Sequence, residues 1–286
     1  MSVAADRENE NAVKRFFEIR WPSGFRCPAC GGTAYTEIRT RSLPLYQCRS
    51  CRKQTSLTAG TIMHKSHTPL AKWLAAIDAL SASRGLSAAA LGKAVGITTK
   101  AAWLMLRKFR AAISQLEEER KLEGHVRFGL RVVAPASIWM FWAHNLYKSE
   151  RVVAVAASVD ALGEPGEMKI RLLDPVTDLI ETRWFYREKI ATAEARERLI
   201  RGMTAGASVE WCKEWMPFPE AMDAAFKRAR KWLVDVFNGI GTKYLQSYLN
   251  EYCFRWNTAA RGESMREAWM KLCFKRPCRC EIAMCR

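Results

Sequence analysis

Four of the ten cysteines in this 286-residue chain stand as two C-x-x-C pairs, Cys27-Pro-Ala-Cys30 and Cys48-Arg-Ser-Cys51, with seventeen residues between the pairs. A C-x-x-C turn can present two thiolates to one ion, and an intervening hairpin brings the two turns together. The spacing therefore predicts a tetrahedral zinc site with Cys27, Cys30, Cys48 and Cys51 as ligands. With all four positions filled by protein, such an ion is a folding element with no open position for catalysis. Gly31 and Gly32 let the chain leave the first turn, and His64 and His67, further on, are not needed as ligands. Arg49, Arg52 and Lys53 surround the second turn and are candidate phosphate contacts.

A second group of chemistry-bearing residues follows. From Ser87 to Lys100 the chain reads SAAALGKAVGITTK: a Ser N-cap, a short apolar helix, Gly96 where the helix must end, and Thr98 or Thr99 as the next cap. This is helix-turn-helix grammar. In the next helix Ala102, Met105, Leu106, Phe109 and Ile113 fall on one stripe, whereas Lys100, Trp103, Arg107 and Arg110 lie near the opposite one. If this helix reads DNA, Thr98, Thr99 and Lys100 are placed for base edges, and Arg107 and Arg110 for the backbone. Trp103 is assigned to packing against Trp73 or Leu91.

The elements that position these groups are read from pattern changes along the chain. A charged helical lead at residues 1–24 enters a Gly-, Pro- and Cys-punctuated ribbon at 25–60, whose short runs TAYTEIR, LPLYQC and KQTSLT read as strands. Helices occupy 61–116, and the run EEERK from Glu117 opens a charged hinge at 117–124. From 125 to 260 the pattern is mixed: HVRFGLRVV, SIWMFWA, RVVAVAASV, EMKIRLL and ASVEWC read as strands, with helices at about 192–202, 220–236 and 242–254. Leu245, Leu249, Tyr252 and Trp256 form a core stripe on the last of these. Residues 261–286 read as a basic, Cys-rich tail whose Cys273, Cys278, Cys280 and Cys285 lack ligand spacing. The expected architecture is multidomain α+β: a small zinc ribbon, a helical helix-turn-helix domain, then an α/β domain around a mixed sheet.

Charge sets the partner. The chain carries a formal +17 with a sequence pI near 9.7. Residues 1–116 hold 18 Lys and Arg against 6 Asp and Glu, while residues 117–286 hold 28 against 23. The electrostatic grip lies at the front, as expected for a protein that holds double-stranded DNA. The first twenty residues lack the apolar core of a signal peptide, and no apolar run has the length of a membrane span. The expectation is a cytoplasmic, nucleoid-associated protein without a membrane partner, in which cysteines serve as metal ligands or buried thiols.

The chain also resembles the ISXO2-like insertion-sequence transposases. The resemblance runs through the ribbon, LTAGTIM at 57–63 with PLAKW at 69–73, KAAWLMLRKFR at 100–110, and YLNEYCFRWN at 248–257. It implies that the last domain is ribonuclease H-like, of the kind in which two Asp and a third acidic or polar group hold magnesium for strand transfer. Self-association is implied in the same way. The first Asp of that family follows an L-x-G-x-V-E-x-D-E pattern; here LEGHVRFGL at 122–130 puts Gly129 in its place, and no Asp or Glu occurs from His125 to Ser149. The second matches AGASVEWC at 205–212, which ends on Cys212, and the third, before Lys231-Trp-Leu233, matches Asp223. Glu210 shares Cys212's face of a strand and lies away from the expected point; His125 and His144 have no identifiable catalytic partner. The triad positions Gly129, Cys212 and Asp223 retain one carboxylate. The expected function is thus DNA binding by a catalytically inactive, domesticated or degenerate transposase. An active, magnesium-dependent transposase and a decayed element with no present role are the two alternatives.

Overall fold

The computed structural model describes residues 3–40, 43–133, 151–181, 189–212, 219–238 and 240–275. The chain divides into two compact units, one made of Met1–Ala112 with Met265–Arg286, the other of Ile113–Ser264.

In the first unit, helix α1 (Val3–Arg20) precedes a three-stranded antiparallel meander of β1 (Tyr35–Ile38), β2 (Leu45–Cys48) and β3 (Gln54–Ser56). So small a sheet cannot bury a core alone. Aromatic rings supply one: Phe17, Trp21, Phe25, Tyr35 and Tyr46 lie with neighbouring centroids 4.9–6.1 Å apart. Arg20 ties α1 to the ribbon's exit, donating to the carbonyls of Leu57 and Ala59.

Three helices follow, α2 (Leu70–Ala82), α3 (Ala88–Val95) and α4 (Thr99–Glu119). The caps read from the sequence are in place. Ser87 Oγ accepts from the Ala90 N–H at 3.2 Å, and Thr98 Oγ1 from the Ala101 N–H at 3.2 Å. Gly96 closes α3 in the left-handed region at φ 69°, its N–H on the Gly92 carbonyl, and Lys72 Nζ donates to the Val95 carbonyl at 2.8 Å. The stripe Ala102, Met105, Leu106, Phe109 and Ile113 is buried throughout.

In the second unit, β4 (His125–Val133), β5 (Arg151–Val159) and β6 (Pro165–Leu172) pair antiparallel, and β7 (Leu179–Glu181) and β8 (Lys189–Ala191) form a separate hairpin. Helix α5 (Ala193–Met203) leads to β9 (Ser208–Trp211), which joins β4 parallel, so the sheet order is β6-β5-β4-β9. Helices α6 (Glu220–Phe237) and α7 (Thr242–Ala260) complete the unit. Six consecutive buried residues of β5, Val152 to Ala157, show why the strand reads as an unbroken apolar run: it is covered on both faces. Val153, Val155 and Ala157 pack with α6 and α7, whereas Ala154 and Ala156 pack with α5. Leu245, Leu249 and Tyr252 are core, with Trp256 half-buried against it.

The last helix, α8 (Met265–Cys273), belongs to the first unit. Trp269 is fully buried with its ring centroid 5.1 Å from Phe109, and Arg266 Nε pairs with Asp78 of α2 at 2.6 Å. Where a basic tail was expected, an amphipathic helix closes a core. The expected hinge also differs. Residues Glu117 to Glu119 continue α4, and Glu117 is only 4% exposed, its carboxylate 3.3 Å from Lys169 Nζ on β6. A charged run looks like a linker until a partner charge is found on an element fifty residues away. The expected strand SIWMFWA, His144, and Cys278, Cys280 and Cys285 lie outside the described residues.

Candidate zinc site and nucleic-acid face

The two C-x-x-C turns have the same local construction. In each, the first cysteine's carbonyl accepts from the N–H four residues on, Gly31 to Cys27 and Arg52 to Cys48, both at 2.9 Å. In each, its N–H donates one residue further, to Gly32 at 2.9 Å and to Lys53 at 3.0 Å. The residue after each pair takes positive φ, 74° at Gly31 and 58° at Arg52. Glycine adopts this readily, but arginine does so at a cost. Gly32 is needed for another reason: a Cβ there would stand 3.0 Å from Ser50 Oγ and 3.2 Å from Cys48 Sγ.

The result is a cluster in which the four Sγ atoms all lie within 4.8 Å of one another, with Cys27–Cys51 and Cys30–Cys48 each at 3.6 Å. A tetrahedron with zinc–sulfur bonds of about 2.3 Å has edges of about 3.8 Å, so the donor set fits zinc in both type and size. The Cys48 thiol is held down to about 6, chiefly by the Cys51 N–H. Cys30, despite the Gly32 N–H that lowers it, is raised to about 12 by its sulfur neighbours Cys51 and Cys48. Four crowded sulfurs cannot all ionise without a cation among them.

Around this site Arg49, Arg52 and Lys53 are all exposed, with Arg49 Nε 3.4 Å from Thr36 Oγ1. At the start of α4, Thr98, Thr99 and Lys100 are exposed as well. Two expectations for this helix need correction. Arg110 is only 5% exposed, drawn into the helical core and away from any phosphate. Trp103, expected to be packed away, is 37% exposed with the Arg107 guanidinium 5.2 Å over its ring, and the Trp73 ring meets Phe109 at 5.4 Å.

The positions matched to the carboxylate triad lie in the second unit, Gly129 in the middle of β4, Cys212 just after β9 and Asp223 in the first turn of α6. The parallel register of β4 with β9 runs Arg127 to Glu210 and Phe128 to Trp211, and the Cys212 N–H donates to the Phe128 carbonyl at 2.7 Å. Gly129 and Cys212 are thereby brought side by side. Alternation puts Arg127, Gly129 and Arg131 of β4 on the same face. Charges there are already matched. Arg127 Nε bonds Glu210 Oε2 at 2.7 Å, with His125 Nε2 at 3.4 Å from the same oxygen. Asp223, in the first turn of α6, has Lys227 Nζ 2.8 Å from one oxygen and Arg131 Nε 3.1 Å from the other. Lys227, then Arg131, hold the Asp223 carboxyl below the ordinary range, and Arg127 does the same for Glu210. Arg131 was missed as part of this cluster; its two-residue offset from Gly129 was the available signal.

Among the described residues, the four cysteines are the one cluster of His, Cys, Asp and Glu with geometry for a metal ion.

Residues 7–54 match the transposase zinc-ribbon domain of the IS1595 family. The matched span takes in most of α1, all of β1 and β2 and the four cysteines. It supports a relationship to insertion-sequence transposases for this end of the chain and, with it, contact with DNA. No curated protein and no solved structure matches the chain. Among the described residues no helix is long and apolar enough to cross a membrane.

Proposed function

We propose that the chain binds double-stranded DNA as a relative of the insertion-sequence transposases, of ISXO2-like type, and does not cut it. On this reading α3 and α4 are a helix-turn-helix, the β6-β5-β4-β9 unit is a ribonuclease H-like domain kept as scaffold, and the protein works on the nucleoid in the cytoplasm, as a multimer if it follows its relatives. Zinc, bound by Cys27, Cys30, Cys48 and Cys51, holds the ribbon in shape; it supplies no chemistry.

The observation that carries the non-cutting reading is the ion pairing of Asp223. Magnesium demands oxygen ligands in near-octahedral order, and the two-ion mechanism needs carboxylates that can hold both ions. Here Gly129 and Cys212 offer none, and both oxygens of Asp223 are engaged by cations, Arg131 and Lys227. A metal ion entering this face would have to displace an arginine and a lysine. Among the described residues the other acid at this face, Glu210, is paired in the same way with Arg127; Glu214 lies outside the described residues.

The test uses the full-length zinc-loaded protein with duplex DNA from the flanks of its own gene. Binding that weakens steeply with salt, and no nicking in magnesium or manganese, is the expected outcome. Metal-dependent nicking that disappears in Asp223→Ala would overturn the reading in favour of an active transposase. Absence of any duplex binding would leave a decayed element.

A further inference from the structure

We infer that Trp103 contacts base edges in the major groove, where it reads a thymine methyl group, while Arg107, held over its ring, contacts the neighbouring phosphate. The inference rests on the DNA-binding reading of α4.

Its starting point is an exception. Along α4, Met105, Leu106, Phe109 and Ile113 are buried, yet the largest apolar side chain of the helix, Trp103, stands on the outer face at 37% exposure. It is not stray surface. Lys100 and Arg107 flank it three residues before and four residues after, on the same side of the helix, and the Arg107 guanidinium lies 5.2 Å over its ring. The contact restrains both side chains before any ligand arrives, which lowers the ordering cost of docking.

Position along the helix selects the contact. Trp103 is five residues beyond the Thr98 cap, within the first turn and a half, the part of a recognition helix that reaches base edges. An indole offers an apolar plane, and the apolar feature of the major groove is the C5-methyl of thymine. Arg107, one turn later, is placed for backbone, where its charge adds affinity without sequence information. Charge also selects the partner. A second copy of this face would bring Lys100 and Arg107 against Lys100 and Arg107, whereas duplex DNA supplies the opposite sign.

The experiment begins by selecting tight binders for the full-length zinc-loaded protein from a pool of randomised 25-base-pair duplexes. In the enriched duplex each thymine is then replaced singly by deoxyuridine, which removes only the methyl group. One replacement is expected to weaken the wild type about fivefold or more, and Trp103→Ala is expected to bind the thymine and uracil duplexes equally. Arg107→Ala is expected to weaken binding to selected and unselected duplexes and to lower the salt slope by about one. Unchanged zinc content and thermal midpoint certify the fold; if alanine lowers the midpoint, Trp103→Gln takes its place. A wild type indifferent to every uracil replacement overturns the inference whatever the variants do, as does a uracil effect of equal size in Trp103→Ala. A wild type that binds duplexes but enriches no sequence also overturns it and leaves the DNA-binding reading standing. One that binds no duplex ends both.

Discussion

At the residue scale, Arg52 holds two demands in one position. It closes the second zinc turn in the left-handed region, where Gly31 closes the first, and it presents a cation to solvent. The two roles separate on substitution. Arg52→Gly should stabilise the ribbon slightly, by up to about 1 kcal/mol from relief of the left-handed strain, yet weaken DNA binding and lower the salt slope by about one. Thermal melts and salt-dependent gel shifts on the same variant check both halves. Cys27→Ser removes one of four thiolates and should abolish stoichiometric zinc, measured by metal analysis, and with it the order of β1 and β2. The four-cysteine cluster was legible in the sequence because it is built from two local turns, each defined within six residues. Arg110 was not. It sits at the border of the apolar stripe, where burial is decided by neighbours from elsewhere in the chain, and a helical wheel carries no information about those.

At the element scale, the turn between α3 and α4 depends on two glycines for different reasons. Gly96 needs positive φ, whereas Gly92 needs space: a Cβ there would meet the Ile97 backbone carbonyl at 3.0 Å. Alanine at 92 would gain roughly 1 kcal/mol of helix propensity, but backbone cannot step aside as a flexible side chain can, so overpacking of about 1–3 kcal/mol should win. Gly92→Ala is therefore expected to destabilise the first unit in a denaturant titration, and Gly96→Ala to do so by about 1–2 kcal/mol through strain alone. The C-terminal end of α4 is held differently. Lys169 of β6 donates to both the Glu117 carbonyl and its carboxylate inside the second unit, and burial raises the Glu117 carboxyl above its ordinary value. Lys169→Met leaves that acid buried alone and should cost about 3–5 kcal/mol, while Lys169→Met with Glu117→Leu should restore most of the loss. Caps made α3 readable to the residue, as alternation did β4 and an unbroken apolar run did β5. The β7–β8 hairpin and α8 were not readable, because three-residue strands and a nine-residue helix fall short of the window in which periodicity stands out.

At the scale of the whole molecule, charge placement makes two measurements informative. The candidate phosphate contacts are the exposed Arg49, Arg52, Lys53 and Lys100 and the half-buried Arg107, five cations in all, which gives a slope of log affinity against log salt near about −4.5, or about 500-fold between 50 and 200 mM. In the second unit Asp223 has a lowered carboxyl, so its pairing contributes fully above about pH 4 and is lost as pH falls through its folded value. Asp223→Asn should flatten that acid limb of the stability profile while leaving zinc content unchanged. Composition gave the front-loaded charge, on which the expectation of a polyanionic partner rests. It could not show that Glu210 and Asp223 are matched by Arg127, Arg131 and Lys227, since those pairings exist only once β4, β9 and α6 are assembled.

The first unit is completed by α8, whose Trp269 seats on Phe109 and whose following residue Phe274 meets Phe16. A growing polypeptide therefore makes α3 and α4 early but cannot close the core beneath them until residues 265–275 have left the ribosome, after the whole of Ile113–Ser264. Loop closure over so long a span is slow. A product cut short by a frameshift or premature stop before Met265 would carry every residue assigned to DNA and still lack the helix that closes their core. Interrupted translation thus yields no free-standing first unit.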